Sequence, residues 1–129
     1  MHIPDNLFYT KEHEWAKIEG NLATLGITDY AQSSLGDIVF MECPDTGESC
    51  KQFKQFATVE SVKAASDVSA PLSGKIIKVN QELKDKPELI NQSPYENGWF
   101  VIIEIEDEKE KDNLLTASAY SEYIKKLSD

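Results

Sequence analysis

Cysteine is scarce in this chain: Cys43 and Cys50 are the only two among 129 residues. Two thiols do not make the disulfide framework of a small secreted domain. His2 and His13 stand too far off in sequence to complete a zinc site with them. Both cysteines are therefore expected to be free thiols in a reducing compartment, with an exposed-loop disulfide as the lesser alternative. Bases are also few, 13 against 23 acids, for a net charge of −10. Nucleic acid and anionic membrane would repel such a chain, so neither is expected as a partner. No run approaches the roughly 18 apolar residues of a membrane-spanning helix. The N-terminus shows neither a secretory signal segment nor an Arg-rich transit peptide, which with Met1 points to the cytoplasm. There is no phosphate loop, no Ser/His/Asp arrangement and no metal-ligand cluster, so an independent catalyst is the least favoured class.

What is present is an ordinary globular balance, 40% hydrophobic and 28% charged. No Pro/Ser/Gly-rich linker interrupts it, and residues 1–129 are expected to form one domain with one modest core. The first half reads as strands. Glu14 to Ile18 alternates polar and apolar residues, Glu19-Gly20-Asn21 supplies a turn, and Leu22 to Ile27 returns as the second arm of a hairpin. Thr28 is a good N-cap, Asp29 suits the first turn, and Gly36 stops a short helix expected at about 29–34. Asp37 to Glu42 is expected as a strand covered on both faces, Ile38 and Phe40 on one and Val39 and Met41 on the other. Further strands are expected over Phe56–Val62, Val68–Leu72, Gly74–Val79 and Trp99–Ile105, with a helical turn opened by Pro87. Tyr120, Ile124 and Leu127 recur at i, i+4 and i+7, which marks an amphipathic C-terminal helix over about 116–127. The acidic run Glu104 to Asp112 reads as a solvated face without a specific role. Many short strands with frequent turns indicate a small barrel or sandwich.

Glu60-Ser61-Val62-Lys63-Ala64-Ala65-Ser66-Asp67 is a short polar turn with one lysine at its centre, between strand-like runs and beside two small alanines. An amine displayed in this way is a handle for acylation. Its spacing resembles the lipoyl attachment site of lipoyl carrier domains, with an acid, Glu60, three residues earlier and a glycine, Gly74, eleven residues later. Glu60 would mark the turn by charge, and Gly74 would permit a close approach that a side chain blocks.

The likeness extends beyond the turn. Tyr9-Thr10-Lys11-Glu12-His13-Glu14-Trp15, Gly26 to Gln32, Leu35 to Phe40, Glu60 to Asp67, Pro71 to Gly74, Pro87 to Asn91 and Ser93 to Trp99 together resemble the H-protein family of the glycine cleavage system. They occur in the family's order and cover about residues 7–127. The resemblance implies a mainly β, lipoyl-type barrel-sandwich hybrid with short peripheral helices and a C-terminal helix. It implies lipoic acid in amide linkage on Lys63, with Glu60, Asp67 and Gly74 as recognition marks for a lipoylating enzyme. The implied partners are glycine decarboxylase, which loads an aminomethyl group; the aminomethyltransferase, which removes it; and dihydrolipoyl dehydrogenase, which reoxidises the dithiol. The chain itself would be a non-catalytic, monomeric carrier in a bacterial cytoplasm, or in the mitochondrial matrix for a processed eukaryotic chain.

The lysine stem and lipoyl chain together are about ten bonds of ~1.5 Å each, enough for a rigid domain to send its arm into another protein. The loaded arm is cationic and hydrolytically fragile, and the family is understood to park it in a cleft. Glu14 and Asp67, with Glu12, occupy positions from which carboxylates could hold that ammonium. The plain alternative for Glu12 and Glu14 is an outward position on an alternating strand. His13 is expected to pack beside Trp15, and Trp15 and Trp99 to anchor the core. A biotin carrier would place methionines beside the lysine, whereas Val62 and Ala64 stand there. The lipoyl domain of a 2-oxoacid dehydrogenase is shorter and followed by flexible linkers. A relay that passes lipoyl or octanoyl groups to such domains would carry the same attachment site and is the alternative function.

Overall fold

The alternating segments of the first half pair as hairpins, and the computed structural model, which describes residues 1–128, arranges the strands in two sheets. The strands are β1 (Phe8–Tyr9), β2 (Glu14–Glu19), β3 (Leu22–Ile27), β4 (Ile38–Glu42), β5 (Ser49–Cys50), β6 (Gln55–Ser61), β7 (Ala65–Ser69), β8 (Gly74–Val79) and β9 (Val101–Ile105). One sheet has the order β1-β2-β3-β9-β8-β5 and the other β4-β6-β7. The helices are α1 (Asp29–Leu35), α2 (Glu82–Asp85), α3 (Leu89–Gln92) and α4 (Ala117–Ser128), with a 3-10 helix over Glu108–Asn113. This is a two-sheet, mainly β fold with peripheral helices, and the sheets do not close into a barrel.

Between the sheets Leu25, Val59, Leu72, Ile76, Phe100 and Ile103 are fully buried. Each such side chain contributes roughly 2 kcal/mol by leaving water. A second cluster forms where α4 covers β1 and β2, with Leu7, Tyr9, Trp15, Tyr120 and Ile124 buried. There the Tyr9 and Tyr120 rings stack at 4.6 Å, and the Trp15 indole donates to the carbonyls of Ile27 and Pro94 at 3.0 and 3.1 Å. Gly26, opposite Trp15 in the β2–β3 register, leaves room for that indole: a Cβ there would meet it at 2.7 Å. Tyr9 and Leu115 exchange backbone hydrogen bonds at 2.8 and 2.7 Å, which ties the start of the chain to the segment before α4.

Several expectations need correction. β4 is not covered on both faces. A bulge between Ile38 and Phe40 turns Val39 and Phe40 to solvent and leaves Ile38 and Met41 inside. His13 does not pack beside Trp15. It takes φ 73°, accepts or donates at 2.9 Å with the Tyr120 hydroxyl, and lies 4.4 Å from the Tyr30 ring. Leu127 is exposed on α4, because the helix runs past the sheet that Tyr120 and Ile124 pack on. The acidic run is more than a solvated face. Glu110 accepts from the Ser73 amide and hydroxyl, both at 2.8 Å, and so fastens the 3-10 helix to the start of β8. Thr28 caps α1 as read, accepting from the Ala31 amide at 3.2 Å.

Candidate functional site: a lysine turn and a carboxylate cleft

Lys63 stands on the turn between β6 and β7, beyond the last paired residues Glu60 and Ala65. Ser61 holds this turn. Its amide donates to the Ala64 carbonyl at 2.7 Å, and its hydroxyl accepts from the amides of Lys63 and Ala64 at 3.3 and 3.1 Å. The Val62 amide donates to the Asp37 carbonyl at 3.0 Å, which braces the turn against the end of α1. The Lys63 side chain is exposed and enters none of the ion pairs found among the described residues. Its stem passes Gly36, where a Cβ would lie 3.6 Å from the lysine Cε; Gly36 itself takes φ 82°, which favours glycine. Asn91 clamps the same joint. It accepts from the Ile38 amide at 2.8 Å and donates to the Gly36 carbonyl and the Gln32 side chain at 2.8 and 3.0 Å. An exposed amine on a fixed platform fits an amide-linked acyl group.

The other residues singled out in the sequence fall in three places. Glu60 is exposed on β6, opposite Phe40 of β4. Asp67 lies on the exposed face of β7, with Gln55 Nε2 donating to it at 2.9 Å. Gly74 is not at the turn. It is buried in β8 between Cys50 and Ile105, where a Cβ would collide with the Glu104 carbonyl oxygen and meet Ile103 at 2.9 Å. Sheet packing alone demands glycine there.

Glu14 is the least expected. It is only 2% exposed, not outward-facing. Thr10 Oγ1 donates to its Oε1 at 2.5 Å and accepts from its amide at 3.1 Å, and the Ser69 amide donates to Oε2 at 3.2 Å. Burial pushes the carboxyl up to about 7 and the nearby Glu12 charge adds to this, while the bonds from Thr10 and Ser69 work against it. Thr10 and Ser69 line an open cleft of about 370 Å³, with Lys11, Glu12, Phe53 and Leu115 around it. β7 thus carries the lysine turn at one end and at the other the residue that bonds Glu14. Asp67, two residues before Ser69, lies on the same side of β7 but does not line the cleft. No motif in the sequence assigns a role to Thr10, Ser69, Phe53 or Asn91. The Thr10–Glu14 spacing across a hairpin turn is the one local signal, and it points to Thr10 alone.

Cys43 and Cys50 are free, and burial pushes both thiols up to about 11. They carry little thiolate at neutral pH and are poor partners for thiol–disulfide exchange. No group of three metal-ligating side chains occurs among the described residues.

The model of the glycine cleavage H-protein family matches residues 7–127. This chain belongs to that family. Glycine cleavage system H proteins from two strains of Staphylococcus epidermidis are each 54% identical over 124 residues, which is 96% of this chain and 98% of theirs. A crystal structure of a glycine cleavage system H protein from Mycobacterium marinum, 36% identical, superposes with a TM-score of 0.84 over 98% of this chain and all of that one. The H protein is the lipoyl carrier of the glycine cleavage system and is not itself a catalyst, and both curated relatives favour that reading over the lipoyl relay. These relatives are bacterial, and no helix among the described residues is long and apolar enough to cross a membrane.

Proposed function

We propose that Lys63 carries lipoic acid in amide linkage and presents it in turn to glycine decarboxylase, the aminomethyltransferase and dihydrolipoyl dehydrogenase. The observation that carries this is the exposed, hydrogen-bonded Lys63 turn on a strand whose far end meets the buried Glu14 carboxyl. When bound, the lipoyl group supplies a dithiolane that accepts and releases a one-carbon unit and two electrons. Everything else falls to the chain's own residues. Ser61 and the Asp37 carbonyl hold the turn in one shape, so that an acylating enzyme meets the amine in a constant frame. Glu60 offers that enzyme a fixed charge, Asp67 a second one, and Gly74 serves the same end by keeping the sheet behind the turn in register.

The cleft acts on the loaded, cationic arm. A cation beside Glu14 favours the ionised carboxyl, so Glu14 would give up its proton as the arm arrives. Thr10 and Ser69 keep its two oxygens aimed, and Glu12 and Asp67 add negative charge at the rim. Water is kept off the arm by the cleft walls. The chain works as one carrier domain over residues 1–129, as a monomer in the cytoplasm.

Intact mass after incubation with a lipoylating enzyme tests the attachment: one lipoyl increment on the native chain and none on Lys63→Arg. Release of carbon dioxide from glycine with the three partner enzymes tests the assignment. Acyl transfer to another lipoyl domain without that release would replace it by a relay.

A further inference from the structure

Phe53 has no place in the function described so far, and its conformation is costly. It takes φ 63°, in the left-handed region where a bulky side chain is rare and strained. Burial does not compensate, since the residue is 49% exposed. Its backbone is fixed all the same. The Phe53 amide donates to the Ala70 carbonyl at 2.7 Å, the Lys54 amide to the Lys51 carbonyl at 3.0 Å, and the Ala70 amide to the Lys54 carbonyl at 2.9 Å. Gln52 beside it donates to the carbonyls of Pro71 and Glu110 at 3.0 and 2.9 Å. The segment therefore holds an aromatic ring, at a backbone position suited to glycine, on the wall of the cleft lined by Thr10 and Ser69, the two residues that bond the buried Glu14 carboxyl behind it.

We propose that Phe53 is a binding residue of this cleft, its ring walling the mouth against an alkylammonium carried next to sulfur. This rests on the reading that the loaded arm parks beside Glu14. Such a ligand suits an aromatic face twice over, through the cation and the ring quadrupole and through the polarisable sulfur. Glu14 supplies the charge and the ring excludes water from it. Of the other charged groups at the cleft, Lys11 and Glu12 offset one another, so the ring adds what their charges do not.

A residue kept for structure and a residue kept for a ligand differ here in sign. In the unlipoylated full chain, Phe53→Gly relieves strain and raises Tm by about 3 °C. In the lipoylated chain loaded with glycine by the decarboxylase, the same change shortens the half-life of the loaded arm, followed by intact mass, about fivefold. Phe53→Leu, apolar but without a π face, falls between. The native chain's Phe53 ring resonances shift on loading. A lower Tm in Phe53→Gly would make the ring structural and overturn the proposal. So would an unchanged half-life in Phe53→Gly while Glu14→Gln shortens it, which leaves the parking reading standing. An unchanged half-life in Glu14→Gln as well would remove both.

Discussion

At one end of β7 the Lys63 amine stands in solvent on a turn held by one serine; at the other the Glu14 carboxyl is enclosed, with Thr10 and Ser69 on its two oxygens. The first is open to solvent and the second is closed; in the proposed function the open end is reached and the closed end holds. The turn puts few constraints on stability, because its working atom touches nothing that folding depends on. The cleft is coupled to stability, because a carboxyl is kept from water where an apolar group would cost less. A carrier needs both, since an arm that is always reachable does not protect its cargo.

Four measurements test that contrast. Lys63→Arg should lose all lipoyl attachment by intact mass while Tm stays within about 1 °C, as for a surface change; a large fall in Tm would show that the turn is structural after all. Gly74→Ala should cost about 3 kcal/mol in urea unfolding, through the clash with the Glu104 carbonyl. Its folded fraction should be lipoylated at the native rate, and a lower rate would give Gly74 a direct part in recognition. Glu14 should make stability depend on pH. Its carboxyl is raised from 4.5 to about 7 in the fold, so the native state binds the proton more tightly than the unfolded chain. Stability should fall as pH rises from 4.5 to 7 and level off above, by on the order of 3 kcal/mol, and Glu14→Gln should lack that slope. Ser61→Ala should cost about 1 kcal/mol and speed hydrogen exchange at the Lys63 and Ala64 amides.

The lysine turn, the capped α1 helix and the two-sheet class were legible because local chemistry decides them: Thr28 caps, Gly36 stops, and Glu60 to Asp67 form a short polar turn between strand-like runs. The misreadings arose where distant parts of the chain override a local period. Glu14, Trp15 and Ala16 are all buried, since α4 covers one face of β2 and the other sheet the opposite face. Alternation rules assume one wet face. The bulge in β4 shifts Phe40 by one position, which reverses the expected side. β1 and β5, two residues each, and the one-turn helices α2 and α3 are too short to show any period. Phe53 carried no signal, because its interest lies in a φ angle that composition does not report.

The paired hydrogen bonds between Tyr9 and Leu115 carry a consequence for synthesis. A ribosome delivers residue 63 well before residue 115. The β6–β7 turn needs only nearby strands, whereas the rim of the Glu14 cleft waits for a segment near the end of translation. During that interval the lysine turn exists without a finished cleft rim, so under the proposed function the amine would be ready for acylation before the chain could shelter a cargo.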